Sequence, residues 1–574
     1  MISFGRIEAM IKSHLNKHRQ ILLFSIAYLL VFIPFLGNVH LFDWDEINFA
    51  EAAREMVITG DWLNVQINFE PFWEKPPFFI WIQAISMSIF GINEFAARIP
   101  NVFIGLVTLL TIYFSVRPRY GKNASIYSIL LYVGSFTPHF YFKTGIIDPL
   151  FNLFIFISVI NLVSGIETKR LTSYFWAGLS LGFAVLTKGP VSILLVGLTG
   201  LVYQVVYQNN FYSLKELLLI LVGLLILPVF YFGIQVINHG CWFLNEFLIY
   251  QIDLFRYPIA SHGQPFYYHF LVLLFGCFPV FVFCFSSLFS KINVSGDQNF
   301  IRFMLILFWV VLIVFSLVTT KIVHYSSMCY IPLSIIGGLW LSKNNKLSFK
   351  IRWLFVSISI IWIIAYLILA IPAIDDRFFH NLVSSIQIKD VNVVAILNTS
   401  VSWSLVTIAT AVAFIYLTIT VVLKNSKRIL VIYLILNALV ISTFISSVVP
   451  SIEKMIQGDW ISHLKTYKDK PYVHFTYGFK SYAHYFYTNQ IDSKEIINIK
   501  QILLEKNGYE SLYDLDQNDK KEFSNLVRDY IINNTNYPVT VSAKKTKFET
   551  IEDDYPNLVN VFDGNGFGVW ERAK

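Results

Sequence analysis

Residues 216–237 read ELLLILVGLLILPVFYFGIQVI, with one carboxylate at the start and no charge after it. A run of about 20 apolar residues is the length a helix needs to cross the roughly 30 Å hydrocarbon core of a bilayer. Comparable runs recur along the chain, near 21–38, 98–116, 123–141, 147–165, 173–187 and 190–207, and then near 266–287, 301–319, 323–341, 352–372, 401–423 and 428–448. The chain is 55% hydrophobic and only 14% charged over 574 residues. A water-soluble chain carries about 25% charge to cover its surface. The expectation is a polytopic α-helical membrane protein of about 13 spans.

The first run follows Arg6, Lys12, Lys17 and Arg19, and no small-residue cleavage site comes after it. It reads as an uncleaved anchor. Loops on the N-terminal side of alternate spans carry roughly twice the Lys and Arg of the opposite loops, the asymmetry of cytoplasmic against outer loops. Acidic residues run the other way. The N-terminus is therefore expected in the cytoplasm, and everything past about 450 outside, on a bacterial inner membrane. Residues 451–574 carry 16 basic and 18 acidic residues, unlike the preceding 1–450. They read as a small extracytoplasmic α/β domain, with strands at 472–477, 539–541 and 568–570 and an amphipathic helix at 520–532. The net charge of +7 is dispersed, with no basic–aromatic cluster that would suit nucleic acid. Cys241, Cys277, Cys284 and Cys329 lie in or beside apolar runs without metal spacing and read as small buried hydrophobes.

The first outer loop, residues 39–97, is far longer than a turn needs and holds nine acidic residues. Long loops on a rigid bundle are a usual place for function. Asp45 to Val57 has helical spacing, with Asp45 placed to cap the helix and Gly60 to end it. Glu74-Lys75-Pro76-Pro77 opens a second segment, Phe78 to Phe90, too short to span and suited to the interface. That position puts Lys75 at headgroup depth, where a lysine either snorkels or holds a lipid phosphate.

Five short motifs now stand in order: Asp45-Glu46 with Phe49-Ala50-Glu51, Gly60-Asp61-Trp62, Glu74-Lys75-Pro76-Pro77, Phe90-Gly91, and Asn93-Glu94-Phe95-Ala96-Ala97-Arg98. Together they resemble the first loop of the aminoarabinose (lipid A) transferase branch of the protein O-mannosyltransferase superfamily, membrane glycosyltransferases of the GT-C fold. The resemblance implies transfer of a sugar from a polyprenyl (undecaprenyl) phosphate to a lipid A-like glycolipid or another extracytoplasmic acceptor. It assigns Asp45 as the catalytic aspartate with Glu46 its acidic neighbour, and Asp148 in Gly145-Ile146-Ile147-Asp148-Pro149 as a second outer aspartate. Lys75 falls on the donor-phosphate lysine and Lys188 on a further phosphate-side lysine. Lys321-Ile322-Val323-His324-Tyr325 matches an outer Lys–His–Tyr segment, so His324 and Tyr325 are donor-pocket candidates. The chain departs from the pattern at Asn48-Phe49, where the family has Arg-Tyr, and at Val323 and Ser326-Ser327.

The chemistry asks mainly for cations on the leaving phosphate, for which Lys75, Lys188, Lys321 and Arg256 are candidates, and a base for an acceptor hydroxyl, for which Asp45 is placed. Glu74 and His262 pair a carboxylate with an imidazole, the donor types of zinc. Against these readings, Asp148 and Lys188 at membrane edges also fit a purely structural ion pair. A protein O-glycosyltransferase of the same superfamily is the alternative within the class. A polytopic transporter is the alternative outside it, but related halves with interrupted helices are not evident in the sequence.

Overall fold

A computed structural model of the chain describes residues 19–572 apart from 208–212, 257–262, 290–297, 376–387, 491–493, 511, 513–514 and 516. Apolar runs become helices. The first is α1, Arg19–Phe32. The long first loop follows with α2 (Asp45–Thr59), a hairpin of β1 (Gln66–Ile67) and β2 (Glu70–Pro71), and α3 (Phe78–Phe90). Then come α4 (Glu94–Val133), α5 (Phe136–Tyr141), α6 (Asp148–Thr168), α7 (Leu171–Lys188), α8 (Val191–Tyr207), α9 (Leu214–His239) and α10 (Trp242–Arg256). Among the described residues seven helices are long and apolar enough to cross a membrane.

Two expected spans join in α4. The helical path breaks only at Gly121, at φ 87, a left-handed backbone that glycine adopts without penalty. The basic residues Arg117, Arg119 and Lys122 sit at this turn. The expected span 266–287 is not one helix: a short helix, a π-turn over Val272–Gly276 and the helix Val280–Leu288 share it. The run expected from 323 begins instead with a 3-10 segment, Val323–Cys329, before the helix Tyr330–Lys343.

Only 17% of the most apolar window of α9 is buried, against 72% for α6, so α9 turns most of its leucines toward the lipid. It still meets α7 closely. A methyl placed on Gly178 would strike the Ile220 carbonyl, and one on Gly223 the Phe175 carbonyl. Small residues that let helix backbones touch are how helices associate where no hydrophobic drive exists. Since Lys188 ends α7, this contact also fixes one side of the site described below.

The helix Lys427–Glu453 continues through Lys454–Gly458 into Asp459–Leu464 and so delivers the chain into the C-terminal domain. Its four-stranded sheet has the order β3-β4-β6-β5, with β3 Val473–Tyr477, β4 Val539–Lys544, β5 Leu558–Gly564 and β6 Phe567–Arg572. β3 and β4 run parallel, and the other pairs are antiparallel. Helices Lys494–Lys506 and Gln517–Asn534 cover the sheet. The three expected strands and the expected helix are present. β5 went unread because most of its residues are exposed, which leaves no apolar alternation to detect.

The C-terminal domain and the long first loop share one core, in which Ile47, Phe49 and Phe79 pack with Trp460, Ile461 and Phe567. Arg54, on α2, is fully buried; it pairs with Glu51 at 2.7 Å and donates to Asn489 Oδ1 and Gln490 O, both at 3.1 Å. Among the cysteines, Cys277, Cys284 and Cys329 are buried and Cys241 is exposed; none is paired.

Candidate active site

A cavity of about 620 Å³ opens between the loop 39–93, the Asp148 end of α6, the Lys188 end of α7, α10, and residues 315–325. Its walls are largely aromatic and aliphatic, including Phe42, Phe49, Phe140, Leu254 and Phe315, and its charged groups sit together.

Asp45 is the first residue of α2 and does not cap it. Trp44 occupies the cap with φ 73 and ψ −117, and no side chain bonds the first turn. For a bulky residue that backbone is strained, and such strain concentrates at functional sites. The turn releases the Asp45 carboxylate into the cavity, where Oδ2 lies 3.0 Å from His324 Nε2. Burial raises the carboxyl pKa. The hydrogen bond and charge of His324, with the charges of Lys75 and Lys188, outweigh burial and hold it well below the usual carboxylate range. Gly60 ends α2 as expected, left-handed at φ 73 with its N–H on Met56 O.

Asp148 begins α6. Its Oδ1 accepts from Lys188 Nζ at 2.6 Å, while Oδ2 lies 3.8 Å from His324 Nε2. His324 thus stands between the two aspartates. Lys188 also lies over the Tyr325 ring, 4.8 Å from its centroid. Lys75 points in from just before α3, 4.9 Å over the Tyr250 ring. Among the described residues no carboxylate lies within 4 Å of its ammonium. Burial lowers its pKa, against the pull of Glu74 and Asp45. A desolvated cation with a ring face but no carboxylate beside it is primed for an anionic ligand.

Glu46 is placed otherwise. Its oxygens accept from Arg98 Nε and Nη2 at 2.8 Å, from Phe42 N–H at 3.0 Å and from Gly145 N–H at 2.6 Å. It ties α2 to α4 and to the loop ahead of Asp148, and so positions both aspartates. Lys321 turns away: its ammonium donates to Val318 O at 2.7 Å, and it does not line the cavity. Arg256 lies exposed at the end of α10 and does not line the cavity either. Glu74 is taken by Lys480 at 2.9 Å and by the Tyr250 hydroxyl at 3.3 Å. A divalent ion at Glu74 would have to displace Lys480. Among the described residues no group of three metal-ligating side chains occurs; His262 lies outside them.

Sequence reasoning missed Tyr250 and Lys480. Lys480 reaches Glu74 across 406 positions, and one lysine among the 16 basic residues of a charged tail carries no signal.

Comparison with known proteins fits this geometry. Residues 74–232, which hold Lys75, Asp148 and Lys188, match the family described as dolichyl-phosphate-mannose-protein mannosyltransferase. An undecaprenyl phosphate-alpha-4-amino-4-deoxy-L-arabinose arabinosyl transferase of Wigglesworthia glossinidia brevipalpis is 26% identical over 341 residues, 56% of this chain and 58% of that one. An uncharacterized protein of Aquifex aeolicus is 30% identical over 329 residues, 57% of this chain and 74% of that one. The chain thus spans under two thirds of the arabinosyl transferase it matches. Over nearly the full length, the structure resembles ArnT from Cupriavidus metallidurans in its apo state, with a TM-score of 0.74 at 18% identity, covering 97% of this chain and 98% of that one. The same protein bound to undecaprenyl phosphate gives a TM-score of 0.73 at 16% identity, covering 96% and 98%. The fold is that of a multi-pass GT-C membrane protein with a small C-terminal sheet domain. Within that class, residues 74–232 are similar to the dolichyl-phosphate-mannose-protein mannosyltransferase family, and about half of the chain is similar to aminoarabinose transferases.

Proposed function

We propose that this chain is a glycosyltransferase that moves a sugar from a polyprenyl phosphate, in bacteria undecaprenyl phosphate, to an acceptor at the outer face of the inner membrane. The observation that carries this reading is an apolar-walled cavity in which Lys75 and Lys188 flank Asp45. Apolar walls suit a prenyl chain, and two cations suit its phosphate. The names of the relatives support the same donor class. The reading keeps the cytoplasmic N-terminus, about thirteen spans and the outer C-terminal domain expected from the loop charges.

The reaction is a single displacement with inversion. The acceptor oxygen forms a bond to the anomeric carbon as the carbon–oxygen bond to phosphate breaks. Polyprenyl phosphate leaves with the electron pair, and Lys75 and Lys188 offset its charge. An oxocarbenium-like centre develops on the sugar, as in glycoside chemistry, and the ionised carboxylate of Asp45 stabilises it. An acceptor hydroxyl loses its proton to Asp45. A carboxylate held far below its usual pKa is a weak base, but two of the charges that hold it there are Lys75 and Lys188. Donor phosphate bound to those lysines cancels their pull and raises the basicity of Asp45. Donor binding thereby arms the base. An acceptor that is already an anion needs no base, and Asp45 then acts on the sugar alone.

The test incubates purified protein with bacterial membrane lipids and reads mass shifts on lipids and proteins. Lys75→Gln should fold normally and lose about 10²–10³-fold in transfer. Wild-type transfer by that variant refutes the assignment, and a sugar trapped covalently on Asp45 refutes the single displacement. A sugar on protein in place of lipid would make the acceptor a polypeptide.

A further inference from the structure

Glu74 and Lys75 are neighbours in the chain, carry opposite charge and both line the cavity that holds Asp45. Where water is scarce, such charges attract strongly, and a carboxylate this near would take the ammonium for itself. The two are nevertheless held apart. Glu74 Oε1 accepts from Lys480 Nζ at 2.9 Å, and Oε2 accepts from the Tyr250 hydroxyl at 3.3 Å. Tyr250 offers its ring to Lys75, whose ammonium lies 4.9 Å from the centroid. One tyrosine thus serves both charges without joining them. Of the charges acting on Lys75, that of Glu74 is the largest, ahead of Asp45.

Lys480 belongs to the C-terminal domain. It follows β3 after a turn at Gly478, where φ is 73, a backbone that glycine adopts without strain. The next residue fixes the turn against the long first loop: the Ser481 hydroxyl donates to Asp43 Oδ1 at 2.8 Å and accepts from Ala483 N–H at 3.2 Å. The Lys480 ammonium also lies 5.4 Å from the centroid of the Tyr482 ring. Asp43, Glu74 and Lys480 all stand on the wall of the same cavity.

The side chain of Lys480 is 48% exposed and that of Glu74 23%. An ion pair as wet as this adds little to stability, so folding does not account for its placement. Its consequence for Lys75 does. With both oxygens of Glu74 engaged, the ammonium of Lys75 keeps a ring face and no carboxylate.

Resting on the transferase reading, we propose that Lys480 is a positioning residue for the donor: by occupying Glu74 it keeps that carboxylate off Lys75, so that the ammonium stays open to the donor phosphate. The C-terminal domain thereby governs donor affinity at a site built mostly from the membrane domain.

The test uses the full chain in maltoside micelles and has two arms. In the first, without ligand, acetylation of Lys75 by acetic anhydride is timed by peptide mass spectrometry. Lys480→Met keeps the apolar stem and removes the charge. Glu74 should then pair with Lys75, hold it protonated and slow its acetylation at least about threefold. Lys480→Met/Glu74→Gln should recover the wild-type rate or exceed it, and Lys480→Arg should stay near wild type. In the second arm undecaprenyl phosphate is titrated. Lys480→Met should weaken its binding about tenfold, and Lys480→Met/Glu74→Gln should return it to within about twofold of wild type. A lysine that only supports the fold, or one that touches the phosphate itself, would leave the double variant as weak as the single, and that result overturns the proposal. So does an unchanged rate at Lys75 in Lys480→Met. If the first arm behaves as expected while the wild-type chain binds no undecaprenyl phosphate, the transferase reading falls, and Lys480 as the group that keeps Glu74 off Lys75 stands.

Discussion

Replacing Glu46 by Gln separates a scaffold from a reagent. Each carboxylate oxygen accepts two bonds: Oε1 from Arg98 Nε and Gly145 N–H, Oε2 from Arg98 Nη2 and Phe42 N–H. Glutamine keeps one acceptor and turns the other into an amide N–H₂. Whichever way it flips, one pair of donors then faces a donor. The negative charge opposite Arg98 is also lost, and both side chains are nearly dry, at 6% and 3% exposed. Breaking a buried pair by removing one partner costs about 3–5 kcal/mol. Arg98 keeps the carbonyls of Leu36, Val39 and His40, which places the cost near the lower end, about 3 kcal/mol, or roughly a hundredfold in the folded-to-unfolded ratio. Denaturant unfolding of the purified protein in micelles should show the midpoint falling, with transfer per folded molecule reduced far less. A variant with the wild-type midpoint and a hundredfold lower kcat would refute the argument and make Glu46 a catalytic residue.

Removing the side chain in His324→Ala takes away the largest influence holding the Asp45 carboxyl low. Its pKa then rises, and since the ionised form is lost as pH falls through that pKa, the acid limb of kcat/KM should move to higher pH; an unmoved limb would show that Asp45 does not govern it. Arg54→Ala leaves Glu51 buried without its cation and frees Asn489 and Gln490. The expected cost is about 3–5 kcal/mol, with limited proteolysis releasing the C-terminal domain; an unchanged cleavage pattern would deny that Arg54 fastens it. Gly223→Leu forces α9 off α7 at the Phe175 carbonyl and should lower both folded yield and donor binding through displacement of Lys188, whereas Gly197→Leu, which meets open space, should leave both near wild type.

The bundle was legible because length and apolarity alone determine which segments can cross a bilayer. Asp45, Lys75, Asp148 and Lys188 could be named because each stands in a short local motif, and spans of similar length bring alternate ends to one border. What the sequence concealed was direction. Asp45 reads as a cap, but the positive φ of Trp44 makes it the first helical residue and frees its carboxylate. Lys321 reads as an outer cation, but the turn before the 3-10 segment returns its ammonium to Val318 O. Glu46 differs from Asp45 by one position on a helix, enough to send it to Arg98 while its neighbour enters the cavity. Such outcomes depend on backbone turns of a few residues and on partners hundreds of positions away, which no periodicity records.

The charged groups share a placement that explains how they persist in an apolar cavity. Asp45 opens α2, Asp148 opens α6 and Lys188 closes α7. Carboxylates at helix N-termini and an ammonium at a C-terminus each meet the favourable end of a macrodipole, worth about 0.3–1 kcal/mol at exposed sites and more when partly buried. The backbone thus compensates part of the desolvation that would otherwise neutralise these groups. Lys75 is the exception: it precedes α3, at the end whose dipole is positive, where a cation is disfavoured and an anion is welcome. Three charges are satisfied by the fold at rest, and the fourth is left for a ligand whose phosphate would satisfy both Lys75 and the start of α3.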